Sequence, residues 1–168
     1  MNATPVLPDL LQSGLRLVFC GTAAGTASAR AQAYYAGPGN SFWETVFAVG
    51  LAPERLRPAD FRRLPEFRIG LTDVCKLLHG SDQSIGSSGF DVEGLRQRIE
   101  AAAPAHLAFN GKKAAQVSLD RKVEYGLQDD RFGQTSLWVL PSTSGAARGY
   151  WDIKPWQDLA NAVLGSRT

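Results

Sequence analysis

The mostly apolar run Leu15–Phe19 passes through Cys20 into a loop of small residues between two glycines, Gly21-Thr22-Ala23-Ala24-Gly25. A strand without a polar alternate face belongs in a sheet covered on both sides. A loop nearly bare of side chains at its carboxyl end lets another group approach the backbone, and in open α/β sheets ligands lie at such strand ends. The loop does not fit a phosphate-binding one, because Thr26-Ala27-Ser28 follows the second glycine where a lysine and a hydroxyl residue are needed. Taken alone, the stretch also reads as an ordinary strand-to-helix turn.

The rest of the chain alternates in the same way. Short apolar runs at Arg68–Leu71, His106–Phe109 and Ser136–Leu140 read as further strands, four in all. Between them, Ser41-Phe42-Trp43-Glu44 has the spacing of a capping box, and Phe42, Val46, Phe47 and Val49 line one face of the helix it opens. Pro58–Leu64 reads as a short helix. Asp91 is placed to cap a helix carrying Val92, Leu95, Ile99 and Ala102 on one side up to Pro104. Lys112–Ser118 can be helical, and Pro155 opens a helix with Trp156, Leu159, Ala160 and Val163 on one face. Tyr34–Asn40 reads as an aromatic turn, Gly80–Gly89 as a mobile loop, and Asp120–Gly133 as polar and irregular. Strands alternating with helices predict an α/β three-layer sandwich, a mainly parallel sheet of four to five strands with helices on both faces. On that layout Gly21–Gly25, Thr72-Asp73, Asn110-Gly111 and Ser142–Gly145 lie beyond strand carboxyl ends and can share one crevice.

Length and composition narrow the classes. A chain of 168 residues suits one domain, residues 1–168, with its own core. The net charge of +2, from 18 basic and 16 acidic residues, allows a polyanion partner only through a local basic face. Mixed charge over Pro53–Arg68 reads first as a solvated face and only second as a nucleic-acid patch. No run reaches about 18 apolar residues, so the expectation is a cytoplasmic protein without a membrane partner. Cys20 and Cys75 are expected as reduced thiols. With His79 and His106 the only histidines, no metal or other cofactor is expected. A Ser-His-Asp triad is disfavoured because no Gly-x-Ser-x-Gly elbow follows a strand. One acid, several hydroxyls, backbone amides and an aromatic loop remain, a set suited to holding a planar, uncharged ring.

Taken together, Gly21-Thr-Ala-Ala-Gly25, then Tyr35, then Gly37-Pro38-Gly39-Asn40-Ser41-Phe42-Trp43 resemble the first motif region of the mismatch-specific uracil-DNA and thymine-DNA glycosylases. The likeness continues through Gly70-Leu71-Thr72-Asp73 and Phe109-Asn110-Gly111-Lys112. It ends with Trp138-Val139-Leu140-Pro141-Ser142-Thr143-Ser144-Gly145-Ala146-Ala147-Arg148, which is similar to the family's second motif. The resemblance spans roughly Leu15 to Leu164. It implies a monomeric enzyme that flips uracil out of mismatched DNA and hydrolyses the bond from sugar to base, with other damaged bases as further substrates. It also implies association with the nucleoid when on DNA.

The departures redirect the chemistry. Ala23 and Ala24 stand where the family has the asparagine that positions the attacking water and the proline after it, and alanine cannot do that work. Asp73 is then the best substitute, a carboxylate that either orients the water and stabilises the cation-like sugar or simply caps the following turn. By the resemblance, Tyr35 stacks on the flipped base, the alternative being a surface loop tyrosine. The amides of Thr22 and Tyr35 are candidate donors to a base carbonyl. Ser142 stands at the base edge, where a hydroxyl reads less strictly than an amide. Ser144, Gly145, Ala146 and Arg148 belong to the segment that meets the duplex, with Lys112 and Lys113 either on a phosphate path or simply solvated. Gly145-Ala146-Ala147 offers no large wedge, so weak help with base flipping is expected. A lesion-binding protein without catalysis, and an enzyme of free nucleobases, are the competing readings.

Overall fold

The computed structural model describes residues 4–80 and 89–165. Of the expected Gly80–Gly89 loop, residues 81–88 lie outside them. A five-stranded sheet of order β2-β1-β3-β5-β4 forms the middle layer, from β1 (Leu17–Gly21), β2 (Ile69–Asp73), β3 (His106–Asn110), β4 (Gly126–Phe132) and β5 (Thr135–Leu140). The first three strands and β5 run parallel; β4 is antiparallel to β5. Helices cover both faces: α1 (Thr26–Ala31), α2 (Phe42–Ala48), α3 (Val92–Ala102), α4 (Lys112–Leu119) and α5 (Lys154–Gly165).

Strand alternation divides the core. Leu17 and Phe19 of β1 face a cluster with Phe42, Trp43, Leu71, Trp138 and Trp156. Val18 and Cys20 face another with Leu95, Ile99, Leu107, Phe109 and Val139. Successive side chains of a strand point to opposite faces, so a continuous apolar run feeds both layers. Cys20 and Cys75 are free and buried.

Several expectations about elements need correction. Asp120–Gly133 is not all irregular, for β4 occupies Gly126–Phe132. An edge strand facing solvent has no apolar alternation to announce it, and its charged residues protect the edge from further pairing. Thr26–Ala31, whose small and polar residues carry no helical pattern, forms α1. The capping box at Ser41 does not form: Ser41 makes no side-chain cap. Instead Asn40 Oδ1 accepts from the Phe42 amide at 3.0 Å, and Glu44 faces Arg55 at 3.7 Å. On α2 the buried face is Phe42, Trp43, Thr45 and Val46, while Phe47 is 45% exposed. The expected helix at Pro58–Leu64 is a 3-10 helix, Pro58–Phe67, whose surface charges pair as Arg63–Glu54 and Arg57–Asp60. By contrast, Asp91 caps α3 by accepting from the Gly94 amide at 2.9 Å. The apolar face expected of α5 is buried at Trp156, Leu159, Ala160 and Val163.

The chain ahead of β1 covers the opposite edge of the sheet. Leu10 bridges Leu71 of β2 through two backbone hydrogen bonds, 2.9 and 3.2 Å. This brings Asp9 beside the end of β2, where its Oδ1 accepts from Thr72 Oγ1 at 2.7 Å. No helix among the described residues is long and apolar enough to cross a membrane.

Candidate active site

The carboxyl ends of β1, β2, β3 and β5 open on one crevice of about 630 Å³. The loop Gly21–Gly25, Asp73, Asn110 with Gly111, and Ser142–Ala147 all line it, so the four segments that the alternation of elements implies do meet. The two loops beyond β1 and β2 are zipped together: the amides of Val74, Cys75 and Gly80 donate to the carbonyls of Gly21, Thr22 and Ala24 at 2.7–2.9 Å. The floor of the crevice is therefore held by backbone bonds that do not depend on side chains.

Gly21 is there because two side chains converge over it. It pairs in register with Asp73, and a Cβ on it would lie 2.7 Å from Asp73 Oδ1 and 3.4 Å from Tyr35 Oη. Asp73 is only 3% exposed. Burial pushes its carboxyl from 3.8 up to about 7, helped by the negative charge of Asp9, while Lys76, Arg98 and the Gly21 amide pull it down. A carboxyl balanced between its two protonation states near neutral pH is suited to taking a proton from water.

Tyr35 has φ +54°, a conformation that costs a non-glycine residue roughly 1–2 kcal/mol and persists only where the surroundings enforce it. They do so here. Ser28 Oγ accepts from the Ala36 amide at 3.0 Å, and Trp43 Nε1 donates to the Tyr34 carbonyl at 3.0 Å. The turn sends the Tyr34 ring against Phe61 and stacks the Tyr35 ring on Phe42, with centroids 4.1 Å apart. Tyr35 Oη is buried beside the Asn110 side chain but makes no well-formed hydrogen bond. Burial, with the charge of Asp73, pushes this phenol far up against the downward pull of Asn110, so it remains a donor.

The remaining residues take distinct places. Thr22 and Ala23 line the crevice, half-buried. Ser142 lines it too, and its Oγ accepts from the Ser144 amide at 3.1 Å. Ser144 Oγ caps the 3-10 turn Gly145–Tyr150 by accepting from the Ala146 amide. Lys112 and Lys113 are on the crevice wall, with Lys112 Nζ 4.5 Å from the centre of the Tyr125 ring. Arg148 is absent from that wall. It lines an adjoining groove of about 400 Å³ with Gly39, Glu44 and Trp151, and Ser142–Ser144 separate the two. Among the described residues no group of three His, Cys, Asp or Glu side chains is placed to hold a metal.

The profile of the uracil DNA glycosylase superfamily matches residues 8–161. The chain belongs to this superfamily. It is also similar to a solution NMR structure from Methanosarcina acetivorans described as a candidate uracil DNA glycosylase. That similarity is 26% identity over 94% of this chain and 96% of the other, with a TM-score of 0.62. Membership supports a DNA glycosylase role in repair and, with it, DNA as partner.

The place of Asn110 in this glycosylase-superfamily site is expected from sequence, but its bonding role, and Ser28 and Tyr150 altogether, escape a reading of site residues from sequence. Asn110 is buried, and both ends of its amide are used: Nδ2 donates to Thr143 Oγ1 at 2.9 Å and Oδ1 accepts from the Thr143 amide at 3.0 Å. It ties β3 to the loop after β5. An Asn-Gly pair at a strand end was the available signal, since such asparagines bond to backbone nearby. Ser28, which fixes the Tyr35 turn, sits in a small-residue helix with no motif of its own. Tyr150 is 77% exposed at the mouth of the crevice. It is the one large aromatic on a turn whose centre, Gly145-Ala146-Ala147, is nearly bare.

Proposed function

We propose that the protein is a monofunctional DNA glycosylase of the mismatch-specific uracil type, working as a single-domain monomer. Asp73 takes the part of the asparagine replaced by Ala23. The observation that carries this reading is the buried carboxylate over Gly21 at the end of β2, inside a crevice that Ala23 also lines. A flipped uracil enters with its ring against Tyr35, whose other face is supported by Phe42. The amides of Thr22 and Tyr35 face the base carbonyl, and Ser142 lies at the base edge. As the bond from C1′ to N1 breaks, its electron pair leaves with the base. Ionised Asp73 holds the incoming water, stabilises the positive sugar, and takes the water's proton as oxygen bonds to C1′. The base leaves as its N1 anion and takes up a proton, Asp73 gives up the one it took, and the free base and an abasic site result. Lys112, Ser144, Gly145, Ala146 and Arg148 form the face toward the duplex, and the Ser142 hydroxyl favours tolerance of other damaged bases. No cofactor enters the scheme.

The test is alkaline cleavage of end-labelled duplex containing uracil opposite guanine, incubated with wild type and with Asp73→Asn. Loss of about 10²–10⁴-fold in single-turnover base release is expected. Undiminished release by the variant removes Asp73 from the mechanism. Tight binding with no release by wild type, on uracil or on other damaged bases, favours the second reading that Ala23 invites, a lesion-binding protein of the same fold.

A further inference from the structure

Next to Asp73 lies a cluster of charges, Asp9, Lys76 and Arg98, that do not themselves line the crevice but bond to residues that do. Asp9 is its centre. One carboxylate oxygen, Oδ1, lies 2.7 Å from Thr72 Oγ1 and 2.8 Å from Lys76 Nζ; the other, Oδ2, lies 3.0 Å from Arg98 Nε. Arg98 reaches on from α3 and donates through Nη2 to the main-chain carbonyl of Asp73 itself at 3.0 Å. Lys76 donates to Tyr34 Oη at 3.1 Å, and that hydroxyl donates to the Pro8 carbonyl at 2.9 Å. The N-terminal segment, β2, the turn after it, the aromatic loop and α3 are thus drawn together at one point.

We propose that Asp9 is a positioning residue for Asp73: it fixes Lys76 and Arg98 beneath the crevice so that their surplus single positive charge balances ionised Asp73. The count is direct. Two cations against one carboxylate leave +1, and an ionised Asp73 brings the cluster to neutrality. Partly buried charges persist when they are paired and hydrogen-bonded in this way. Lys76 and Arg98 favour the ionised form of Asp73, and Asp9 opposes it. The other titratable groups facing it, Cys20 from β1 and Tyr34 and Tyr35 from the aromatic loop, are held protonated by burial and add no charge. Burial raises the proton affinity of Asp73, and three residues outside the crevice lining adjust it.

This inference rests on Asp73 as the catalytic carboxylate, so it is tested by two measurements. In the first, single-turnover base release from uracil-containing duplex is followed against pH for wild type, Asp9→Asn and Lys76→Met. Asp9→Asn keeps an acceptor oxygen to hold the two cations but removes the charge that cancels one of them, so it moves the acid limb of the profile to lower pH by about one unit, and Lys76→Met moves it to higher pH by about as much. A merely structural role lowers the plateau and leaves the limb in place, which would overturn the proposal. In the second, the Asp73 carboxyl is titrated by carbon-detected NMR in the same three proteins without DNA, and the same opposite displacements are expected. An unmoved titration overturns the proposal even if Asp73→Asn abolishes release. Displaced titration with release insensitive to Asp73→Asn keeps the electrostatic role and removes the catalytic one. If Asp9→Asn does not fold, Arg98→Gln replaces it, and its limb and its titration move in the direction of Lys76→Met.

Discussion

Gly21 and Gly25 bracket the same loop and serve different ends. A methyl group on Gly21 runs into Asp73 Oδ1, whereas one on Gly25, at φ −71°, meets nothing within 4 Å. Gly21→Ala therefore displaces Asp73 and Tyr35 and lowers base release by at least about tenfold. Gly25→Ala leaves release within about twofold of wild type. An oriented reacting group tolerates little misplacement, which is why a single carbon has that reach. Asp73 also costs stability. A carboxyl raised from 3.8 to about 7 binds a proton more tightly folded than unfolded. Its contribution is complete below about pH 4, falls as pH rises toward 7, and stays lost above it. The gap is worth on the order of 4 kcal/mol, taking about 1.4 kcal/mol for each pH unit. Asp73→Asn is thus expected to be more stable than wild type at pH 8, by up to that amount, and so to melt higher, with little difference at pH 4. Thermal melts at the two pH values check it; equal gains at both would contradict the burial cost.

At the scale of elements, what could be read from sequence follows what each element buries. The first, second, third and fifth strands are short, largely apolar and buried along nearly their whole length, and α5 is apolar on one face, so their residues announce them. Helix α1 and strand β4 bury little and carry no such pattern; tertiary contact and edge pairing make them. The meeting of four loops at one crevice was legible because a parallel sheet sends every strand carboxyl end to the same side. The Asp9 cluster was not, since Asp9 reaches Arg98 across 89 positions of sequence and no local pattern encodes such a contact. The entry to α2 shows the same limit at short range. Ser41 and Glu44 have the right spacing for a reciprocal cap, but the Ser41 amide is bonded to the Thr143 carbonyl at 2.9 Å and Asn40 takes over the capping. Asn40→Ala should therefore destabilise the fold by about 1 kcal/mol and Ser41→Ala by a few tenths, measured by urea unfolding. The reverse order would restore the capping box.

Over the whole molecule, a net charge of +2 gives no general attraction for DNA. Any affinity must come from the face around the crevice mouth, where Lys112, Lys113, Arg148 and exposed Tyr150 gather on neighbouring segments. Arg57 and Arg63 are not on that wall and pair with Asp60 and Glu54, while Arg55 is held by Glu44 at the edge of the Arg148 groove. Arg148 pairs with no acid among the described residues. Each cation that neutralises a phosphate releases counterions and contributes about −0.9 to the slope of log K against log salt on duplex DNA. Three such contacts give a slope of about −3, shallow for a protein that binds duplex. Fluorescence anisotropy with a labelled duplex between low and moderate salt measures it. Arg148→Ala should reduce the slope by about one and weaken binding similarly on matched and mismatched sequences, because a phosphate contact carries no base information. Arg57→Ala should leave the slope unchanged. A loss with Arg57→Ala as large as that with Arg148→Ala would move the DNA face away from the crevice to the mixed-charge surface, and the proposed reaction would then lack access to its substrate.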